Sequence, residues 1–375
     1  MAKGIYALNR NEALDEILQA QREESVPMLD NANLSGADLR AVDLSGANIY
    51  AADLSEANLS GAYICGAYLR NANLSGANLS GADLRKATLI GVSLVGANLR
   101  GATLHAADLR STDLGGVNLF GADLKGAYFI KANLIGVDLS KADLSSANLS
   151  GANLSGANLS GTDLSGANLS KAIFTGATMP KVNLSGANVQ SANFSKAMLE
   201  QANMAGAYLS LANFSGANLQ NVYACRVNAR SANFVEANLS AANFSCADLE
   251  RAYFFKTRLS KVDFSKARLH KANLIKADLS EAEFNRADLS NANLNEANLS
   301  KSYLRCANCT QAVFRGALMQ GAMLTGVIFT EADLQAVTAT PEDFADINTA
   351  AFINVIVDEF TARYLNLPQQ GSKGQ

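Results

Sequence analysis

ANLSGANLSGANLSGTDLSGANLS, residues 147–170, repeats every five positions: a small residue, Asn or Asp, Leu, Ser, then Gly. A period of five is neither helix nor flat strand. With 3.6 residues per helical turn, leucines five apart spiral around the axis and leave no apolar stripe. On a strand of period two they alternate between faces. A coil with one repeat on each of four sides, twenty residues per turn, points every Leu and every Ala inward.

The register extends far beyond this stretch. Central residues recur at steps of five from Leu34 to Leu334, giving 61 units with no insertion or deletion. Two places before each centre stands Ala, replaced only by Val, Thr or Ser, as at Val42, Thr112, Val182, Thr257 and Ser302. A tight corner accounts for that size limit. The pattern A(D/N)LXX over about residues 27 to 339 resembles the pentapeptide-repeat family, and its length and regularity look most like cyanobacterial members. The resemblance implies an all-β solenoid, a right-handed quadrilateral β-helix. With twenty residues per coil and ~4.8 Å between coils, the repeat region predicts roughly fifteen coils spanning about 70 Å. The expected organisation is a helical cap over 1–31, the β-helix over 32–339, and over 340–375 a helical cap and dimerisation segment with a disordered tail.

Composition narrows the function. The chain has 375 residues, no Trp, four Pro and a formal net charge of −3. MAKGIYALNRNEALDE lacks the apolar run of a signal peptide, and no stretch reaches the roughly 18 apolar residues a membrane helix needs. A soluble, cytoplasmic protein without membrane insertion is expected. Five cysteines without framework spacing suit a reducing compartment.

A register of period twenty also assigns each outward side chain to a face. Face 1 carries the centres Leu34, Leu54 and so on; faces 2, 3 and 4 begin at Leu39, Leu44 and Ile49. Inside face 1, Phe174, Phe194, Phe214, Phe234 and Phe254 predict a ladder of rings. Ala224 and Ala229 at two successive centres predict local slack. Outside face 1, Val235, Phe255 and Ile275 form an outward apolar stripe with Tyr253 alongside, framed by Lys256 and Lys276. Cross-strand pairing on the sheet face accounts for such a stripe as well as a protein interface does, and the interface is carried forward as the candidate site. A looser set on face 4 comprises Tyr50, Tyr68, Ile90, Tyr128 and Ile130 among Arg70 and Arg110.

Both ends read as caps on exposed strand edges. Residues 11–24 place Leu14, Ile17, Leu18 and Gln21 on one side of a short helix. Thr340-Pro341-Glu342-Asp343 reads as a helix start, after which Phe352, Ile356 and Phe360 recur at helical spacing with Ile353 and Val357 on an adjoining strip. A homodimer through that helix is the expectation.

The search for chemistry returns no enzyme and no cofactor. His105 and His270 both follow a centre and point outward, far apart along the coil, so neither a catalytic triad nor a His-based metal site can be built on them. In Cys306-Ala-Asn-Cys309 the register turns Cys309 inward and Cys306 outward, which separates the two thiols. Cys225 and Cys246, one coil apart on face 3, are read as a reduced pair.

Three functional classes remain. The resemblance implies duplex-DNA mimicry toward topoisomerases for some family members, which needs strongly negative faces. Residues 1–31 hold three cations and six acids, residues 340–375 two and five, leaving 26 cations against 23 acids on the repeats. Face 3 does carry Asp43, Asp83, Asp123, Asp143 and Asp163, but with Arg85, Lys86 and Lys125 among them. Nucleic-acid binding rests on residues 251–276, where eight Lys or Arg face one acid. The register spreads them over four faces as a collar, which argues against it, and residues 277–299 follow with five acids and one Arg. A rigid scaffold or adaptor binding a protein partner through flat faces and end caps fits best. Cyanobacterial relatives are associated with heterocyst patterning, metal-transport regulation and thylakoid assemblies, and the sequence selects none of them.

Overall fold

The structure is a computed structural model that describes residues 8–344 and 352–364. It divides into two compact units, Met1–Asn193 and Phe194–Gln375, whose boundary falls inside the repeat array. Each is built from the same five-residue element.

The unit at Asn148 shows why this pentapeptide winds as it does. Asn148 N donates to Ala127 O (2.9 Å), Leu149 N to Asn168 O (2.8 Å), Gly151 N to Ser170 O (2.9 Å) and Ala152 N to Leu149 O (3.0 Å). The fifth donor, Ser150 N, reaches the Asn148 side-chain oxygen at 3.1 Å. All five backbone N–H groups are thus satisfied, and where Asn or Asp precedes the centre its side chain serves the residue after the centre, for which no backbone acceptor is placed. Three of these bonds link residues about twenty apart, so four repeats make one coil. The residue before each centre pairs in parallel with its counterpart one coil on, as Asn148 with Asn168. A turn every five residues leaves a single bridged position per side, and among the described residues these bridges stand in place of continuous strands.

Side-chain burial follows the same phase. In ANLSG the Ala and Leu are inaccessible, as at Ala147 and Leu149, while Asn148 and Ser150 lie at the surface. Where Thr occupies the Ala position its hydroxyl finds a carbonyl on the previous coil: Thr162 Oγ1 donates to Leu139 O at 2.7 Å and Thr257 Oγ1 to Phe234 O at 2.7 Å. A buried hydroxyl is tolerated because it is bonded.

The corner residue, two after the centre, has positive φ throughout, the requirement for the third position of a type II turn. In the first unit Gly often fills it, as Gly151 (φ 66). From Asn221 to Gln311 in the second unit, nineteen consecutive corners carry other residues at φ 54 to 59, many of them Lys, Arg or Glu. Each costs about 1 kcal/mol relative to Gly, and each sets a side chain on an edge of the coil.

Phe194, Phe214, Phe234 and Phe254 stack in the second unit at centroid separations of 4.9, 5.2 and 5.0 Å with planes within 10°. Phe174 belongs to the first unit. A second ladder, Phe244, Phe264 and Phe284, runs along face 3 at 5.9 and 5.4 Å and meets the first edge-on at Phe234 and Phe254. Ala224 and Ala229 are both fully buried, and Phe244, one coil after Ala224, leans across to Phe234 at 5.8 Å.

Two corrections concern the ends. At the first, α1 (Arg10–Arg22) is closed by a capping box between Asn9 and Glu12. Its inward residues are Ala13, Ile17 and Ala20, whereas Leu18 is 50% exposed and Gln21 faces solvent. Small alanines let the helix axis approach the coil closely, which turns the buried face away from the expected Leu14–Leu18 side. At the other end Pro341–Phe344 forms one 3-10 turn, with Asp343 accepting from Thr340 N at 2.6 Å. The expected helix through Phe352, Ile356 and Val357 is not formed. Residues 352–356 instead run along the last coil: Glu331 N donates to Ile353 O (2.8 Å), Leu334 N to Ile356 O and Ile356 N to Ala332 O (both 2.9 Å). The exposed edge of the coil offers backbone partners that a helix lying on it would leave unpaired. Only Glu359–Tyr364 is helical (α2), and it contains Phe360.

Candidate protein-binding surface

Val235, Phe255 and Ile275 follow successive centres of face 1, and Glu236 N to Phe255 O (3.0 Å) with Lys256 N to Ile275 O (3.1 Å) hold their coils in step. All three are half-buried, because each covers part of the next, while Tyr253 beside them is 49% exposed. Lys256 Nζ lies 5.3 Å from the Phe255 ring centroid. Lys276 pairs with Glu296 at 3.3 Å, one coil on. The structure thus brings the six candidate residues into one patch, with less bare apolar surface than three outward hydrophobes suggested.

Half of the cationic collar around this patch, Arg251, Lys261, Arg268 and Lys276, is paired within the chain. Arg268 lies 3.5 Å from Asp248 and 3.9 Å from Glu250, and Arg230 reaches the same two acids at 3.2 and 2.6 Å. Arg251 is 3.8 Å from Glu250, and Lys261 is 3.7 Å from Glu281. The counter-ions therefore come from both sides of the collar, Asp248 and Glu250 before it and Glu281 and Glu296 in the acidic band that follows. Lys256, Arg258, Lys266 and Lys271 make no ion pair among the described residues. Lys256 and Arg258, on either side of buried Thr257, line a groove of about 500 Å³ with Gly216, Ala217, Asn218, Glu236 and Asn238.

Other sequence candidates stay apart. Cys309 is fully buried, which pushes its thiol well above the ordinary range, while Cys306 is exposed; all five cysteines are free. His105 and His270 fall in different units, and His270 Nδ1 is 2.8 Å from Ser290 Oγ. Among the described residues no group of three or more His, Cys, Asp or Glu is placed to hold a metal, and no helix is long and apolar enough to cross a membrane. On face 3 the Asp83 carboxylate is bound by Arg85 at 2.6 Å, a hydrogen bond that lowers its pKa against the opposing effect of burial. On face 4 of the first unit Tyr50 and Tyr68 stack at 6.3 Å. At the C-terminal edge Ile353 and Ile356 are 53% and 49% exposed, and buried Val355 lies between them, after a turn in which Asn354 has φ 53. Val357 is half-buried, and the side chain of Phe360 lies outside the described residues.

Two features escaped the sequence reading. The charged corners carry no signal distinct from the glycines they replace. The face 3 ring ladder was legible in the spacing of Phe244, Phe264 and Phe284.

Comparison with known proteins follows this geometry. The family described as pentapeptide repeats (8 copies) matches in ten overlapping or adjoining segments between residues 28 and 338. Among solved structures the chain is similar to alr5209, a pentapeptide repeat protein from Nostoc PCC 7120, at 36% identity over 29% of this chain and 84% of that one, with a TM-score of 0.26. HetL from Nostoc sp. PCC 7120, a pentapeptide repeat protein involved in heterocyst differentiation regulation, is 28% identical over 88% of this chain and 96% of that one, TM-score 0.14. QnrB1, a plasmid-mediated fluoroquinolone resistance protein, is 21% identical over 62% and 93%, TM-score 0.19. No curated protein sequence matches. The repeat match spans most of the chain, and the chain belongs to the pentapeptide-repeat family.

Proposed function

We propose that this protein is a non-enzymatic scaffold or adaptor that binds a protein partner through face 1 of its second unit, around Phe255. The observation that carries the reading is the patch itself: Tyr253 exposed beside half-buried Val235, Phe255 and Ile275, with Lys256 and Lys276 at its rim. Aromatic and aliphatic anchors rimmed by cations are the composition of protein-binding hot spots. The register supports rigidity within each unit, since its coils are fixed to one another through backbone bonds and a filled interior. The free thiols support a reducing compartment such as the cytoplasm.

The test is capture of partners by the intact protein and by a Phe255→Asp, Ile275→Asp variant, followed by direct titration of each captured protein. Loss of binding in the variant, with the circular dichroism unchanged, is expected. Equal binding by both places the interface elsewhere.

The C-terminal edge supports a second contact, between two copies of the chain. Ile353 and Ile356 are exposed on the segment that pairs with the last coil. Sedimentation should show a dimer that Ile353→Asp, Ile356→Asp converts to monomer; a monomer at all concentrations refutes the contact.

A further inference from the structure

At the groove of Lys256 and Arg258 one position breaks a local run of Asn and Asp. Along face 2 of the second unit the positions before the centres from 219 to 299 read Asn218, Asn238, Arg258, Asp278, Asn298, with Met198 before them and Leu318 after. Each Asn or Asp there accepts from the backbone N–H two residues on: Gln220 N to Asn218 (3.4 Å), Ser240 N to Asn238, Ser280 N to Asp278 (both 3.2 Å) and Ser300 N to Asn298 (3.1 Å). Arg258 has no carboxylate or amide oxygen to offer, and Ser260 N–H is left without an acceptor among the described residues. The Ser260 hydroxyl is occupied with Ser240 Oγ at 3.2 Å. The same holds across the corner, where Tyr253 replaces Asn and Phe255 N–H loses its acceptor, while Asn233 and Asn273 serve Val235 N and Ile275 N on either side.

Elsewhere the chain supplies the missing acceptor charge itself. Arg268 also stands at such a position, and Asp248 and Glu250 lie within 4 Å of it. Around Arg258 the nearby acids are Asp278 and Glu236, and neither pairs with it. Asp278 Oδ1 is committed to Ser280 N and to Asn298 Nδ2 (3.0 Å). Glu236 lines the groove without an ion pair to Lys256 or Arg258. Asn238 Oδ1 is taken up by Ser240 N and Oγ (3.2 and 2.9 Å), and Asn218 Nδ2 by Glu200 (2.6 Å). The groove exists because Gly216 leaves a gap in the line of corner side chains that runs through Glu236, Lys256 and Lys276. It therefore gathers two unpaired cations around an opening of about 500 Å³ against a single carboxylate, and the unpaired Ser260 N–H lies two residues beyond Arg258.

We propose that this edge captures an acidic segment of a partner protein, with one Asp or Glu carboxylate seated on the Arg258 guanidinium and the Ser260 N–H, and a second acid near Lys256. The incoming carboxylate takes the place that Asn or Asp holds on the neighbouring coils. Arg–carboxylate pairing is bidentate and favours this planar group. The inference rests on the scaffold reading above and specifies the partner's charge.

The test uses the full chain and a labelled peptide of alternating Asp or Glu with Leu and Phe, followed by fluorescence anisotropy. Arg258→Asn restores the acceptor used on neighbouring coils, so the fold is expected to persist, and affinity should fall about tenfold. Arg268→Asn, on the neutralised edge, should leave affinity unchanged. The Asn/Gln version of the peptide should not bind. If Arg258→Asn does not fold, Lys256→Gln takes its place, with a loss of about threefold. Absent binding of the acidic peptide at about millimolar concentration, affinity indifferent to Arg258, or preferential binding of inorganic phosphate or an oligonucleotide overturns the proposal. Partner capture that depends on Phe255 while the peptide ignores Arg258 leaves the scaffold reading intact and removes this one.

Discussion

Phe234 stacks on Phe254 at a centroid distance of 5.0 Å with their planes 6° apart, and touches Phe244 edge-on at 5.8 Å. It is one of the two rings, with Phe254, at which the face 1 ladder meets the face 3 ladder. Phe234→Ala should destabilise the second unit by about 3–5 kcal/mol, because a cavity opens in an interior that cannot collapse. Phe234→Leu, which restores the commonest central residue, should cost less than about 1.5 kcal/mol. Urea unfolding of the two variants measures the difference.

The charged corners make a second prediction. Lys266 sits at φ 59 with no ion pair, so Lys266→Gly should stabilise by about 1 kcal/mol through relief of the left-handed backbone. Lys261→Gly gains the same relief but forfeits Glu281, 3.7 Å away, and should gain less in low salt and about as much in high salt. The salt dependence of the two unfolding midpoints checks this.

Asp83 gives a pH dependence with a definite sign. Arg85 holds the Asp83 carboxyl below its ordinary value of 3.8 in the folded state. Its contribution to stability is complete above that ordinary value and disappears as pH falls through the lowered folded value. Arg85→Gln should lessen acid sensitivity below about pH 4 while leaving neutral stability nearly unchanged, as expected for an ion pair at the surface. Thermal melts between neutral and acid pH read both.

Thiol labelling separates the two cysteines of the C-x-x-C. Cys306 should react readily with a disulfide reagent in the folded protein, whereas buried Cys309, its thiol held protonated by the apolar interior, should react only on unfolding. Rapid labelling of Cys309 in native protein contradicts the inward register at residue 309.

Much of this was legible in the sequence because one phase governs everything. Once Leu149 is placed inward, the burial of Ala147, the outward position of Asn148 and the separation of Cys306 from Cys309 all follow. The reading failed where the repeat stops. Phe352, Ile353, Ile356 and Val357 fit a helical stripe, but the bare edge of the last coil supplied backbone partners that hold them as a turn and a single bridge at Ile356, a tertiary effect that spacing cannot carry. At the first end, Ala13 and Ala20 outcompeted Leu18 for the interior because close approach of the helix, and not side-chain hydrophobicity, selected the face. The collar was correctly distributed over four faces, yet its partial neutralisation by Asp248, Glu250 and Glu281 depends on side-chain reach across one coil. The stripe at Phe255 was placed correctly and overestimated in exposure, since neighbouring outward side chains shade one another.

The twenty-residue register gives length changes within a unit two distinct consequences. Insertion of one pentapeptide after residue 246 would keep the interior intact and turn every later side chain of the unit a quarter turn about the axis, parting Arg258 from the ladder of Asn238. Insertion of four would return each side chain to its own face and only move it along by one coil. Chains of this kind can therefore vary in length without penalty to the core, while their surfaces inherit intact only in steps of twenty.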